Sequence, residues 1–206
     1  AAIKGVGEAA SAAIVKEREE NGPYRDIFDF VERTNFAVVN RKCLESIALA
    51  GGFDSIIDFH RSRLFAEDQP NVVFLDMLVR YGQRVQQDRN NAQQSLFGMA
   101  MDAGFAIQQP RVPVAEDWNN LTILNREREV IGLYLSSHPL DRFGFILRKM
   151  CQAKLGNLDD LKPYDGMEIA VAGIVTDVTN LVTKDNRRYA RFTMEDYETG
   201  HEFTLF

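Results

Sequence analysis

Three short runs in this 206-residue chain place residue types at spacings that could do chemistry. The first is Ile3-Lys4-Gly5-Val6-Gly7-Glu8-Ala9-Ala10, an apolar-x-Gly-x-Gly run opening a helix. Two glycines let a backbone turn tightly and come close to a phosphate, and the amides of the following helix N-terminus donate to its oxygens. Lys4 adds a cation, and Lys16 or Arg18 could reach the same backbone one or two turns later. The second run is Gln93-Gln94-Ser95-Leu96-Phe97. There an apolar pair, Leu96 and Phe97, could fill a preformed pocket while Gln93 sets register by hydrogen bonds. The third is a turn and strand, Lys184 to Met194. If Ala190, Phe192 and Met194 face a core, Tyr189 and Arg191 project outward beside Lys184, Arg187 and Arg188, an arrangement suited to base stacking with phosphate contact. Each run has a plainer alternative: a glycine turn between packed helices, a Leu-Phe pair folded back on its own domain, and an ordinary polar hairpin.

Around these runs the chemistry is sparse. No HxE, GxSxG or phosphate-loop pattern occurs, and no carboxylate pair invites two-metal chemistry. Glu17, Glu19, Glu20, Asp159 and Asp160 read as solvated faces and caps, so no catalytic residue and no metal site is assigned. The net charge of −6, with no segment basic as a whole, excludes binding to nucleic acid by bulk charge; any contact must use arranged amides and a few cations. Cys43 and Cys151 stand far apart and in no CxxC pair, which excludes a disulfide framework and suits a reducing cytoplasm. No apolar run is long enough to span a membrane. An opening without Met, in the middle of a motif, reads as a fragment of a longer polypeptide.

The elements that position the three runs follow from periodicity and punctuation. Residues 8–20 form a helix ended by Asn21-Gly22-Pro23; Asp26 caps a second and Asn40 a third. The spacing of Leu75, Leu78, Val79 and Val85 predicts a helix over 72–87, and the polar Gln86 to Asn91 stretch leads into a linker over 88–115. A helix over about 117–136 is ended by His138-Pro139. Strands follow over 168–178, over 189–194 across a Lys184-Asp185-Asn186 turn, and around Phe203 and Leu205. The predicted domains are thus 1–87, 88–115, 116–165 and 166–206: a mainly α chain followed by a partial β domain.

The first run fits a helix-hairpin-helix DNA-binding signature, and Asn40 to Asp54 reads as a second, degenerate hairpin. Its Gly51-Gly52 lacks the Gly-x-Gly spacing, leaving Arg41 and Lys42 as its contacts. Taken with Asn21-Gly22-Pro23-Tyr24, Asp29-Phe30, the run Asn125-Arg126-Glu127-Arg128-Glu129-Val130-Ile131-Gly132-Leu133-Tyr134-Leu135-Ser136-Ser137-His138-Pro139-Leu140 and a β-segment from Ile169, nearly the whole chain resembles the bacterial DNA polymerase III alpha subunit family beyond its palm and fingers. The resemblance implies a tandem helix-hairpin-helix domain (1–87) gripping duplex DNA through Lys4, Gly5, Val6, Gly7, Lys16, Arg18, Arg41 and Lys42. It implies a linker whose Gln93, Leu96 and Phe97 bind the sliding clamp, then a helical connector and a partial OB-fold toward single-stranded template. The parent of such a fragment is a DNA-directed DNA polymerase, a nucleotidyltransferase whose Mg2+ and carboxylates lie upstream; the fragment itself is expected to have no activity or cofactor. Other replicase subunits are implied partners, and a membrane is not. Two other readings stay open: a hairpin protein of DNA repair or recombination, and a clamp-interacting adaptor without DNA binding.

Overall fold

Capping residues set the first three helices. In the computed structural model, which describes residues 3–95 and 107–206, Gly7 is the extended N-cap of α1 (Glu8–Asn21), and Gly22 ends it at φ 83° just before Pro23. Asp26 caps α2 (Ile27–Arg33), its carboxylate accepting the Asp29 N–H at 2.7 Å. Asn40 caps α3 (Arg41–Leu49) by accepting the Cys43 N–H at 2.9 Å. The chain divides into two units, Ala1–Leu135 and Ser136–Phe206.

The first unit is built on apolar faces that these helices turn inward. Phe30, Val31, Leu44, Leu64, Phe74, Leu75 and Leu78 are buried together, with Phe30 edge-on to both Tyr24 and Phe53. Each such side chain contributes about 1.5–3 kcal/mol on leaving water. Gly82 lets α4 (Phe74–Ser95) lie directly against α2: a Cβ there would stand 2.4 Å from the Val31 carbonyl oxygen. Arg33 joins α2 to the end of α1. Its guanidinium donates to the Glu17 and Gly22 carbonyls, pairs with Glu17 and Asp29, and lies over the Tyr24 ring.

Three expectations about the helices are corrected. The helix expected from Val72 begins at Phe74, because Val72–Val73 (β2) pairs with Glu67–Gln69 (β1) across a turn in which Asn71 takes φ 62°. The same helix runs to Ser95, past the expected end at Gln87. The polar residues that seemed to have nothing to bury have backbone to satisfy: the Gln86 amide donates to the carbonyls of Val31, Glu32 and Thr34, and Arg89 pairs with Glu32. The helix expected over 117–136 is α5 (Asn120–Ile131), capped by Asn119 and ended by Gly132 at φ 89°. His138 therefore ends no helix. It opens a 3-10 turn, Pro139–Phe143, by accepting the Leu140 N–H, while Asp141 accepts the His138 N–H.

The second unit holds a short helix α6 (Gly144–Lys149) and one antiparallel sheet of β3 (Ile174–Val182), β4 (Arg188–Glu195) and β5 (Gly200–Leu205), in that order. The Lys184-Asp185-Asn186 turn forms as expected, with Asn186 at φ 61° and the Thr183 N–H bonded to the Arg187 carbonyl. The first strand starts six residues later than expected, at Ile174. Before it, Ala170 exchanges hydrogen bonds with Gln152, and Ile169 and Val171 pack on the small core of Ala153, Leu155 and Leu158. Met194 and Phe203 cover that core, and Phe192 stacks on Phe203, directly opposite in register. The architecture is the expected one, a helical hairpin region followed by a partial antiparallel β region.

Candidate nucleic-acid interface

The Gly5-Val6-Gly7 loop is held from below and open above. Val6 is buried in the core, and its N–H donates to the Ile3 carbonyl. Gly5 takes φ 88°, a conformation a side chain strains to adopt, and a Cβ there would meet Ser46 Oγ at 2.9 Å. Gly7 is different: a Cβ on it would touch nothing. No side chain caps the amides of the first turn of α1, so they face outward from an exposed loop with the partial positive charge of a helix start. Glu8 in that same turn works against an anion, and Lys4 works for it.

The fold brings Lys42 to this loop from α3, its Cγ 3.9 Å from the position a Gly5 Cβ would take. Its side chain is 70% exposed, and its ammonium lies 3.4 Å from Glu45. Arg41 is otherwise engaged: Nε binds Asp76 at 2.8 Å and Nη1 binds Glu45 at 2.6 Å. The Asp76 hydrogen bond pushes its pKa up, leaving a charge that is permanent but neutralised locally. Lys16 pairs loosely with Glu20 at 3.7 Å, and Arg18 is exposed. Both stand roughly 13–16 Å along the helix axis from Gly7, at ~1.5 Å per residue, too far to share a single anion with the loop.

Two features of this site escaped the sequence reading. The Lys4 N–H donates to the Val130 carbonyl of α5 at 2.7 Å, and Ile3 packs on Leu49, Ala50 and Val130. The run 125–131 is thus the floor of the glycine loop. Beside it Arg61, 8% exposed, binds the fully buried Glu127 at 3.1 Å and also Asp54 and the Leu49 carbonyl. The signal for this was in the stripe Leu124-x-x-Glu127-x-x-Val130, where a carboxylate holds a core position and requires a buried cation. Arg61 also explains Gly51, and Ile47 explains Gly52, where a Cβ would stand 2.6 Å from Ile47 Cγ2. The Arg61 guanidinium fills the space a Gly51 Cβ would take, at 2.6 Å, so that turn faces the protein.

Of the other expected sites, Gln93 lies in the last turn of α4, while Leu96 and Phe97 lie outside the described residues. In the second unit Lys184, Arg187 and Arg188 are exposed at the β3–β4 turn. Tyr189, next along β4, stacks on Phe206 with ring centres 5.6 Å apart, a partner the sequence reading did not name. Arg191 lies on the same face, its Nε 3.4 Å from Glu202 across the sheet. Among the described residues no group of three or more His, Cys, Asp or Glu side chains is arranged to hold a metal ion, and no helix is long and apolar enough to cross a membrane.

A tight glycine loop, an uncapped helix start, and a second hairpin helix supplying a lysine form a helix-hairpin-helix arrangement, and residues 1–64 match a family model described as a helix-hairpin-helix motif. Along its whole length the chain is similar to DNA polymerase III subunit alpha from several bacteria. It is 32% identical to that of Caulobacter vibrioides over 205 residues, 100% of the chain and 17% of that protein. It is 32% identical to that of Thermus aquaticus over 97% of the chain and 15% of the relative, and 31% identical to that of Vibrio cholerae over 100% and 17%. The chain belongs to the DNA polymerase III alpha-subunit family, and it spans about one sixth of the length of these relatives.

Proposed function

We propose that this segment holds duplex DNA by its phosphate backbone as part of a replicative DNA polymerase alpha subunit, without itself carrying the nucleotide-transfer chemistry. The observation that carries the reading is the loop at Gly5 to Gly7: exposed, sterically open at Gly7, uncapped at the helix start, and flanked by Lys4 and Lys42. Backbone amides and two ammonium groups bind phosphate oxygens without reading bases, which suits an enzyme that must hold any sequence. Val6 anchors the loop; Lys16 and Arg18 extend the contact. Arg41 serves chiefly to hold α3 against α4, a narrower role than the sequence suggested.

Two further roles belong to the same reading. Gln93, Leu96 and Phe97 tether the segment to a sliding clamp, supported by their sequence pattern and by the place of Gln93 in the last turn of α4. The β-region, an OB-fold start, contacts single-stranded template through Tyr189 and the turn cations Lys184, Arg187 and Arg188, with Arg191 weakened by Glu202. The setting is cytoplasmic, among other replicase subunits, with Mg2+ bound in the parent's own active site. The relatives favour this over a repair or recombination protein, and an adaptor without DNA affinity is separated by experiment.

The test is duplex binding by fluorescence anisotropy across 50–200 mM salt. Binding should fall steeply with salt, barely change with sequence, and weaken on the order of three- to tenfold in Gly7→Ala while the melting temperature holds. Unchanged affinity in a folded Gly7→Ala protein would remove the loop as a phosphate contact.

A further inference from the structure

One cluster of cations in the first unit has no part in the hairpins. Arg80, Arg84 and Arg111 line a single cleft of about 510 Å³ between α4 and the chain after Ile107. Arg80 and Arg84 lie one turn apart on α4, and Arg111 is held opposite between Ile107 and Val112, both packed on the core. All three are exposed, and no carboxylate of the described residues lies within ion-pair reach of them. Arg41 and Arg89, by contrast, are engaged: Arg41 with Asp76 and Glu45, Arg89 with Glu32. No acidic residue lines the cleft, whose floor is formed by Met77, Tyr81 and Pro110. Asp88, one turn beyond Arg84, is the one acid of that stripe of α4 whose charge is not already taken by a described arginine.

We propose that Arg80, Arg84 and Arg111 form a second phosphate site, which takes nucleic-acid backbone beyond the hairpins. The inference rests on the reading that the hairpin loop holds duplex DNA. Contacts through α3 and α4 link the two regions. Asp76, one turn before Arg80, binds Arg41, and the neighbour of Arg41, Lys42, stands beside Gly5. Arg80 and Arg84 are ~6 Å apart along the helix, at ~1.5 Å per residue. A duplex strand presents one charge per ~3.4 Å of its axis, so two guanidiniums ~6 Å apart span about two phosphate steps of one strand. Planar guanidinium forks with no internal partner bind phosphate oxygens in pairs. Three arginines in one cleft with no carboxylate partner among the described residues, in a chain of net charge −6, suit an anion supplied from outside.

The experiment uses the full chain and a 20-base-pair duplex, comparing wild type, Arg80→Ala/Arg84→Ala/Arg111→Ala, Gly7→Ala, and a control, Arg142→Ala/Lys149→Ala/Lys162→Ala, that removes three cations elsewhere. Each phosphate contact contributes about 0.9 to the slope of log affinity against log salt. The cleft variant should lose roughly 2–3 of that slope with its circular dichroism and melting temperature unchanged. The control should lose none. An unchanged slope in the cleft variant overturns the proposal, and weakened Gly7→Ala binding alongside it leaves the hairpin reading standing. Equal loss in the control overturns it in favour of bulk charge. Loss of affinity for an acidic peptide such as polyglutamate, with duplex binding intact, overturns it in favour of a protein partner. Absence of duplex binding in wild type removes both readings.

Discussion

Glu127 is a carboxylate in a core position, and the energetics of that choice are unforgiving. An ion pair removed from water is at best weakly stabilising, but deleting one partner strands a buried charge at a cost of about 3–5 kcal/mol. Arg61 is held by Glu127, Asp54 and the Leu49 carbonyl, so it loses its deepest partner in Glu127→Ala. We expect that variant to be destabilised by about 3–5 kcal/mol in urea titrations. The Lys4 amide, bonded to Val130 one turn away, should exchange its hydrogen faster than in wild type. A loss below 1 kcal/mol would mean that the pair is replaceable and that α5 docks through Leu124 and Val130 alone. The two loop glycines separate in the same way. Gly5→Ala meets Ser46 at a positive φ and should lower stability by about 1–3 kcal/mol, whereas Gly7→Ala should not.

Between elements, the junction of α1 with α2 depends on the charge of Asp29. Burial alone would raise its pKa, but the Arg25 backbone N–H and the Arg33 and Arg25 guanidiniums outweigh burial and hold the carboxyl below its ordinary value. A carboxylate with a depressed folded pKa adds stability that is fully present above the unfolded value, ~3.9, and is lost as pH falls through the folded value. Urea midpoints measured from pH 6 down to pH 2.5 should therefore decline below about pH 4, in line with that unfolded value. Asp29→Asn should start lower at pH 6 and decline less. Parallel declines in the two proteins would assign the acid sensitivity elsewhere, with Asp196 as the next group to test. Its carboxylate is likewise held low, burial being outweighed by the N–H groups of Glu198, Thr199 and Leu155.

At the scale of the whole molecule, the expected clamp contact begins in the last turn of α4 and falls in sequence before α5, and both helices pack on the hairpin unit. A clamp bound there and a duplex bound at the glycine loop would each raise the effective concentration of the other, provided both can be engaged at once. Leu96→Ala and Phe97→Ala should each cost on the order of 2 kcal/mol in clamp binding, measured by titration calorimetry, with Gln94→Ala and Ser95→Ala costing less. Unchanged clamp binding in the Leu96→Ala/Phe97→Ala protein would place the tether elsewhere. Unfolding of that protein, read by circular dichroism, would return the two side chains to the core.

What the sequence determined alone was local. Caps at Asp26 and Asn40, the stop at Asn21-Gly22-Pro23, the turn at Asn186 and the register-setting alternation of β4 each depend on residues within a few positions of one another. The glycine loop was legible for the same reason, since its backbone geometry and uncapped amides belong to five consecutive residues. What only the tertiary structure decided involves partners far apart in the chain. Gln86 could not be seen to extend α4, because the carbonyls it satisfies lie more than fifty residues earlier. Arg41 could not be seen to be engaged, because Asp76 reaches it from α4. Lys42 gained its place beside Gly5, and Glu127 its place opposite Arg61, only when the helices packed. A short-range pattern fixes where a backbone turns; whether a charge is paired or left for a ligand depends on which distant group the fold brings within a few ångströms.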